Sequence, residues 1–144
     1  MGRRLEREQR LEAISLADMS VLESLADEVL ETLTVEVARG PAVGLLMVRA
    51  EEPSERLQFN FAEVTVSEAE VVAEGCRGYA VVMGRQPEKA LAGAILDAAL
   101  ELEHEASATI ESHLEQALER ERRRTAALLA AVEPTRVRFE EMTP

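Results

Sequence analysis

The sequence has no tryptophan, one tyrosine and three phenylalanines in 144 residues. A core short of rings must be built from leucine, valine and alanine, and such a core packs helices closely. There is one cysteine, Cys76. An intrachain disulfide is therefore excluded. With no CxxC pair there is also no ligand set for zinc or an iron-sulfur cluster, which fits a reducing cytoplasm. Long apolar runs are missing as well. The charged opening Met1-Gly2-Arg3-Arg4-Leu5-Glu6 leads into no apolar segment, so neither a signal peptide nor a membrane span is expected. Cations are in deficit, 16 against 28 acidic residues, for a formal charge of -12. That field repels a bare phosphate backbone and argues against nucleic-acid binding by the chain alone. A local arginine cluster can still override it within about 8 to 10 Å.

What is present is a globular mixture, 47% hydrophobic and 31% charged, in a length that holds one domain over residues 1–144. The pattern is helical over 4–33, with Asp18-Met19-Ser20 dividing it into two helices. Ser20-Val21-Leu22-Glu23 reads as a capping box for the second. Leu22, Leu25, Ala26, Val29 and Leu33 form its apolar face, which is expected to pack on a sheet. Strand signals follow at 34–39, 43–50 and 57–66, at Val71-Val72 and at 78–83, with turns at Gly40-Pro41 and Glu74-Gly75 and a polar loop at 51–55. Pro87 suits the first turn of a helix, Glu88 lies near the positive end of its dipole, and Leu91, Ile95, Ala98 and Leu102 make its stripe. Residues 105–132 predict a second long helix, stopped at Pro134, and 135–139 alternate like a last strand. The expected class is α/β in the α+β sense. A mostly antiparallel sheet of four to five strands packs against N-terminal helices and a long C-terminal helical hairpin.

Chemical motifs are sparse. His104 and His113 lie nine residues apart, which at about 100° per residue puts them on opposite faces of one helix, where they cannot share a metal. Cys76 beside Arg77 has no catalytic partner, and no serine elbow exists. Arg120, Arg122, Arg123 and Arg124 form the densest cationic run. Guanidinium groups bind phosphate bidentately, but Glu115, Glu119 and Glu121 make a solvated, ion-paired face the simpler reading. Gly84-Arg85, between a strand and a helix N-terminus, has the geometry of an anion site, although Pro87 removes one donor. Glu63, Glu68 and Glu70 would need partners of known spacing to serve as a base or as magnesium ligands. From the residues alone the chain is an interaction domain with no catalytic set and no metal site.

Several motifs occur in a telling order. They are Arg39-Gly40-Pro41, Gly44-Leu45-Leu46-Met47-Val48-Arg49-Ala50, Phe59-Asn60-Phe61-Ala62-Glu63-Val64-Thr65-Val66, Gly78-Tyr79-Ala80-Val81-Val82-Met83-Gly84-Arg85, Leu96-Asp97-Ala98, and Thr135-Arg136-Val137 with Phe139 and Met142. Their collinear sequence resembles the PhnG subunit family of the carbon-phosphorus lyase core complex, over residues 10–142. The resemblance implies a subunit of the assembly that attaches an alkylphosphonate to C1 of the ribose of ATP and releases adenine, leaving a ribose 1-phosphonate 5-triphosphate. It implies subunits of the H, I and J types as partners, with the glycosidic chemistry attributed chiefly to I and the iron-sulfur radical step to J. MgATP is then the substrate of the complex, and this chain itself binds no cofactor. Arg49, Glu63, Thr65, Arg85, Asp97 and Arg136 become the candidates for ligand or interface roles, with Asp97 able to cap a buried network with Arg85. The chain departs from the family pattern at Glu51-Glu52-Pro53-Ser54-Glu55, where relatives carry a Gly-rich basic loop, and at Ala62-Glu63 and Ser67-Glu68, where they carry Gly-Glu and Thr-Arg. A homo-oligomer is expected for the isolated chain. Two other readings are a stand-alone homodimeric module held by the Leu and Ala faces of the last two helices, and a small-ligand-binding regulator.

Overall fold

Helix α3 (Pro87–Glu101) is enclosed on nearly every side, and its small residues are the reason it can be. The computed structural model describes residues 5–137. Before α3 come α1 (Arg7–Leu16), α2 (Met19–Leu30), β1 (Glu36–Glu51), β2 (Gln58–Ala73) and β3 (Cys76–Met83). After it come α4 (Ser107–Val132) and a 3-10 turn at Glu133–Thr135. Residues 92–100 of α3 are all buried. A Cβ on Gly78 of β3 would fall 2.0 Å from the Ala94 carbonyl oxygen, so this strand meets the helix backbone directly. One on Gly93 would fall 2.4 Å from Ile14 Cγ2, so α1 uses the other notch. The helix propensity that Gly93 costs, about 1 kcal/mol, is thus exchanged for close packing. Leu96 and Leu100 are fully buried, each contributing roughly 1.5 to 3 kcal/mol.

Among the described residues the sheet has three antiparallel strands in the order β1-β2-β3. Four to five were expected, and the difference has two local causes. Gly40-Pro41 is a cis peptide inside β1, not a turn. Pairing with β2 continues on both sides of it, Arg39 opposite Glu70 and Ala42 opposite Glu68, with a shift of register between. Val71 and Val72 likewise extend β2 as one 16-residue strand. The Glu74-Gly75 turn is present, both residues having positive φ. The expected last strand fails at its start. Thr135 lies in the 3-10 turn and Arg136 and Val137 are irregular, while Phe139 and Met142 fall outside the described residues.

The division into α1 and α2 holds, but α2 begins at Met19, and its N-cap is Asp18 with no side-chain cap bond. The Asp18 carboxylate accepts instead from Arg120 of α4 at 2.8 Å, which holds it below the usual carboxylate range. The reciprocal cap belongs to α1, between Glu6 and Gln9. The expected face of α2 is buried, and it lies chiefly against α3 instead of the sheet. Helix α4 buries Ile110, Leu114, Ala117 and Leu118 and lies more against α1 than α3. The last two helices are therefore not a closely packed hairpin, because α3 has already given its surface to the sheet, α1 and α2. Lys89 of α3 is buried, donates to the Ser15 carbonyl at the end of α1 (2.8 Å), and is held below the ordinary lysine range by that burial.

Candidate functional site

The six candidate residues do not converge. Arg49 and Glu63 lie exposed on the outer part of the β1–β2 pair, opposite Asn60 and Met47. Thr65 is half-buried opposite Leu45, and its carbonyl accepts from the Gly84 amide at 2.7 Å, which sets Arg85 just beyond it. Arg136 pairs loosely with Glu133, 3.5 Å away, at the end of α4. Asp97 is fully buried.

The Gly84-Arg85 turn was the best geometric case for an anion. Gly84 has φ +83, and the turn leads into α3. Ser67, fully buried on β2, donates its hydroxyl to the Gly84 carbonyl (2.7 Å) and accepts from the Gln86 amide (2.8 Å). One helix N-H is thereby consumed, Pro87 has none, and Glu88 brings a carboxylate to the first turn. The turn is built to hold a strand against a helix. Arg85 is exposed, without an ion pair among the described residues.

Asp97 forms its network with α1, not with Arg85. One carboxylate oxygen accepts from Arg7 (2.8 Å) and from the Tyr79 amide (3.0 Å), and the other lies 3.5 Å from Arg10. Arg10 is itself buried and ion-paired with Glu101. Arg7 also donates to the Arg77 carbonyl at 3.1 Å, and the bond to Asp97 raises its pKa further. Arg7 and Arg10 escaped sequence reasoning. The available signal was an arginine in line with Ala13, Ile14 and Ala17, a charge in an apolar stripe that needs a buried partner.

A second charged cluster crosses the sheet around Glu68. Glu68 accepts from the Tyr79 hydroxyl at 3.0 Å and lies 3.6 Å from Arg39. Glu70 pairs with Arg39 and with Arg77. Burial, then the bond to Glu68, pushes the Tyr79 phenol above its ordinary value. Glu68 is thus held by its own sheet. Glu68→Gln is expected to cost about 1 kcal/mol or less, a shift of a few degrees in Tm by circular dichroism, because such partly exposed pairs contribute little. The acidic loop is also self-organised. The Glu52 carboxylate accepts from the Ser54 and Glu55 amides (2.6 and 2.9 Å), which keeps it below the usual range.

The arginine run of α4 is engaged with neighbouring acids, Arg123 with Glu119 and Arg124 with Glu121. His104 lies in the turn before α4, not on it. Its Nδ1 accepts from the Ala106 amide, so the neutral ring carries its proton on Nε2, 2.7 Å from the Thr32 hydroxyl. Cys76 opens β3 as a free thiol, with Arg77 turned to Glu70. Among the described residues no group of three His, Cys, Asp or Glu is placed to hold a metal, and no helix is long and apolar enough to cross a membrane.

The family model described as phosphonate metabolism protein PhnG matches residues 5–143. The chain belongs to the PhnG family. No curated protein matches it. As a PhnG protein it has a role in phosphonate metabolism, as a subunit of the carbon-phosphorus lyase. The motifs of the resemblance now acquire structural duties. In the Gly78-Tyr79 pair the glycine admits α3 and the tyrosine joins the cross-strand cluster, while Asp97 fixes α1 to the sheet and helix.

Proposed function

We propose that this PhnG chain acts in the cytoplasm as an accessory subunit of ribose 1-methylphosphonate 5-triphosphate synthase, within a carbon-phosphorus lyase core complex containing H, I and J type subunits. The complex transfers an alkylphosphonate to C1 of the ribose of MgATP and releases adenine, while this chain supplies no reacting group. The observation that carries the accessory role is the commitment of its charged side chains. Asp97, Glu68, Glu70, Arg10 and Arg39 are spent on one another, whereas Arg85, away from the β1–β2 ribbon, stands exposed where a neighbouring subunit can meet it.

The test is reconstitution. Tagged chain should bring down H, I and J type subunits, and the assembled complex should release adenine from ATP and methylphosphonate. The chain alone should release none, and omission of the chain from the mixture should abolish release. Adenine release by the isolated chain would overturn the accessory role, and full activity without it would overturn membership of the synthase.

A further inference from the structure

Two elements leave the body of the chain with apolar side chains uncovered. The first is the ribbon made by residues 42–51 of β1 and 58–65 of β2. Leu45, Leu46, Met47 and Phe61 are 67%, 54%, 51% and 69% exposed. Successive strand residues alternate faces, so Leu45 and Met47 lie on one side and Leu46 on the other. The outer edge of β1 pairs with no further strand among the described residues. The stretch Val43-Gly44-Leu45-Leu46-Met47-Val48 carries no charge to protect that edge. A two-stranded ribbon of this kind is marginal in water by itself. The second element is the end of α4, where every residue over 122–132 is exposed, Leu128 and Leu129 by 62% and 61%. A helix of three turns is not maintained by propensity alone.

The two elements carry opposite charge. Residues 49–63 hold Glu51, Glu52, Glu55 and Glu63 against Arg49 and Arg56. Residues 115–132 hold four arginines against Glu115, Glu119 and Glu121; Arg120, Arg123 and Arg124 pair within the chain, and Arg122 has no ion pair among the described residues. We propose that two copies of this chain form a twofold dimer in which the β1–β2 ribbon of each lies along the exposed end of α4 of the other. Ribbon and helix are then both covered, acid against base at one end and leucine against leucine and phenylalanine at the other. A twofold makes the contact twice, so each element finds its complement without an open chain of subunits. The dimer goes beyond the phosphonate reading and stands independently of it.

The experiment uses the full chain purified alone. Light scattering should give about twice the 15.9 kDa mass. Leu45→Glu and Leu129→Glu should each weaken the dimer by about 30-fold, since each removes an apolar anchor. Both should keep the far-ultraviolet spectrum of the parent. In a Cys76→Ser background, Phe61→Cys chains mixed with Leu129→Cys chains should form a disulfide between the two variants, independent of how point substitutions affect folding. A monomer at every concentration overturns the proposal. So does a dimer whose only crosslink joins Phe61→Cys to itself, which would place ribbon against ribbon. Capture of another lyase subunit by the monomeric chain, lost in Leu45→Glu, would assign the ribbon to that subunit and equally overturn the dimer. Neither result bears on adenine release by the reconstituted complex.

Discussion

Asp97→Ala is expected to cost about 3 to 5 kcal/mol, because it removes the buried acceptor of the Tyr79 amide and Arg7 and leaves buried Arg10 with Glu101 as its remaining counter-charge. Asp97 has no exposure, and Arg10 beside it is 4% exposed. Removing the carboxylate takes away the counter-charge 3.5 Å from Arg10 and the acceptor for the Tyr79 amide. Arg7 adds less to the sum, since its side chain is 47% exposed and water screens the pair. Against a total stability of about 5 to 15 kcal/mol, the variant should melt roughly 10 to 20 °C lower. Asp97→Asn keeps an acceptor for the amide and should fall between. Replacing Arg10 with Met in the Asp97→Ala background should recover part of the loss, as expected when part of the penalty is a buried charge that has lost one of its two counter-charges. These measurements also separate the two roles open to Asp97. A variant that melts like the parent but no longer supports adenine release in the complex would make Asp97 a ligand or interface residue. A variant that is destabilised and rescued through Arg10 makes it a structural one.

What could be read from the sequence follows the distance over which each feature is decided. The apolar face of α2, the placement of Pro87 at the start of α3 and the Glu74-Gly75 turn depend on residues within a few positions, and all three are found. The start of α2 depends on Asp18, whose carboxylate is drawn away by Arg120, 102 residues on. No local pattern carries that. Gly40-Pro41 has the composition of a turn, yet the chain runs straight through because Glu68 and Glu70 on β2 continue the ladder past it. The site follows the same rule. Asp97 was recognisable as the carboxylate of a buried network, but its partners Arg7 and Arg10 lie 90 and 87 residues away on α1. Arg85, close in the motif order, is not among them. Among the collinear motifs, Gly78 and Asp97 serve the scaffold, whereas Leu45, Met47, Arg49 and Phe61 lie exposed.

Gly78 carries the other large effect. An alanine Cβ there would sit 2.0 Å from the Ala94 oxygen, 2.6 Å from the Ala98 nitrogen and 2.7 Å from Ala98 Cβ. The first two are backbone atoms inside a helix and cannot turn aside as a side-chain end would. Gly78→Ala must therefore lift α3 from β3 along their contact, and α3 is the element on which the sheet, α1 and α2 all close. Overpacking usually costs about 1 to 3 kcal/mol. A clash with helix backbone belongs at or above the top of that range, and Gly78→Val should leave little folded protein. Gly44→Ala is the matched control. Its added methyl meets nothing within 4 Å, so its Tm should stay within the shift that about 1 kcal/mol produces, or rise as the unfolded chain loses freedom. Equal melting of the Gly78 and Gly44 variants would mean that α3 tolerates displacement. The Gly-aromatic motif would then need a reason outside the fold, and contact of that strand with another subunit would be the place to look for it.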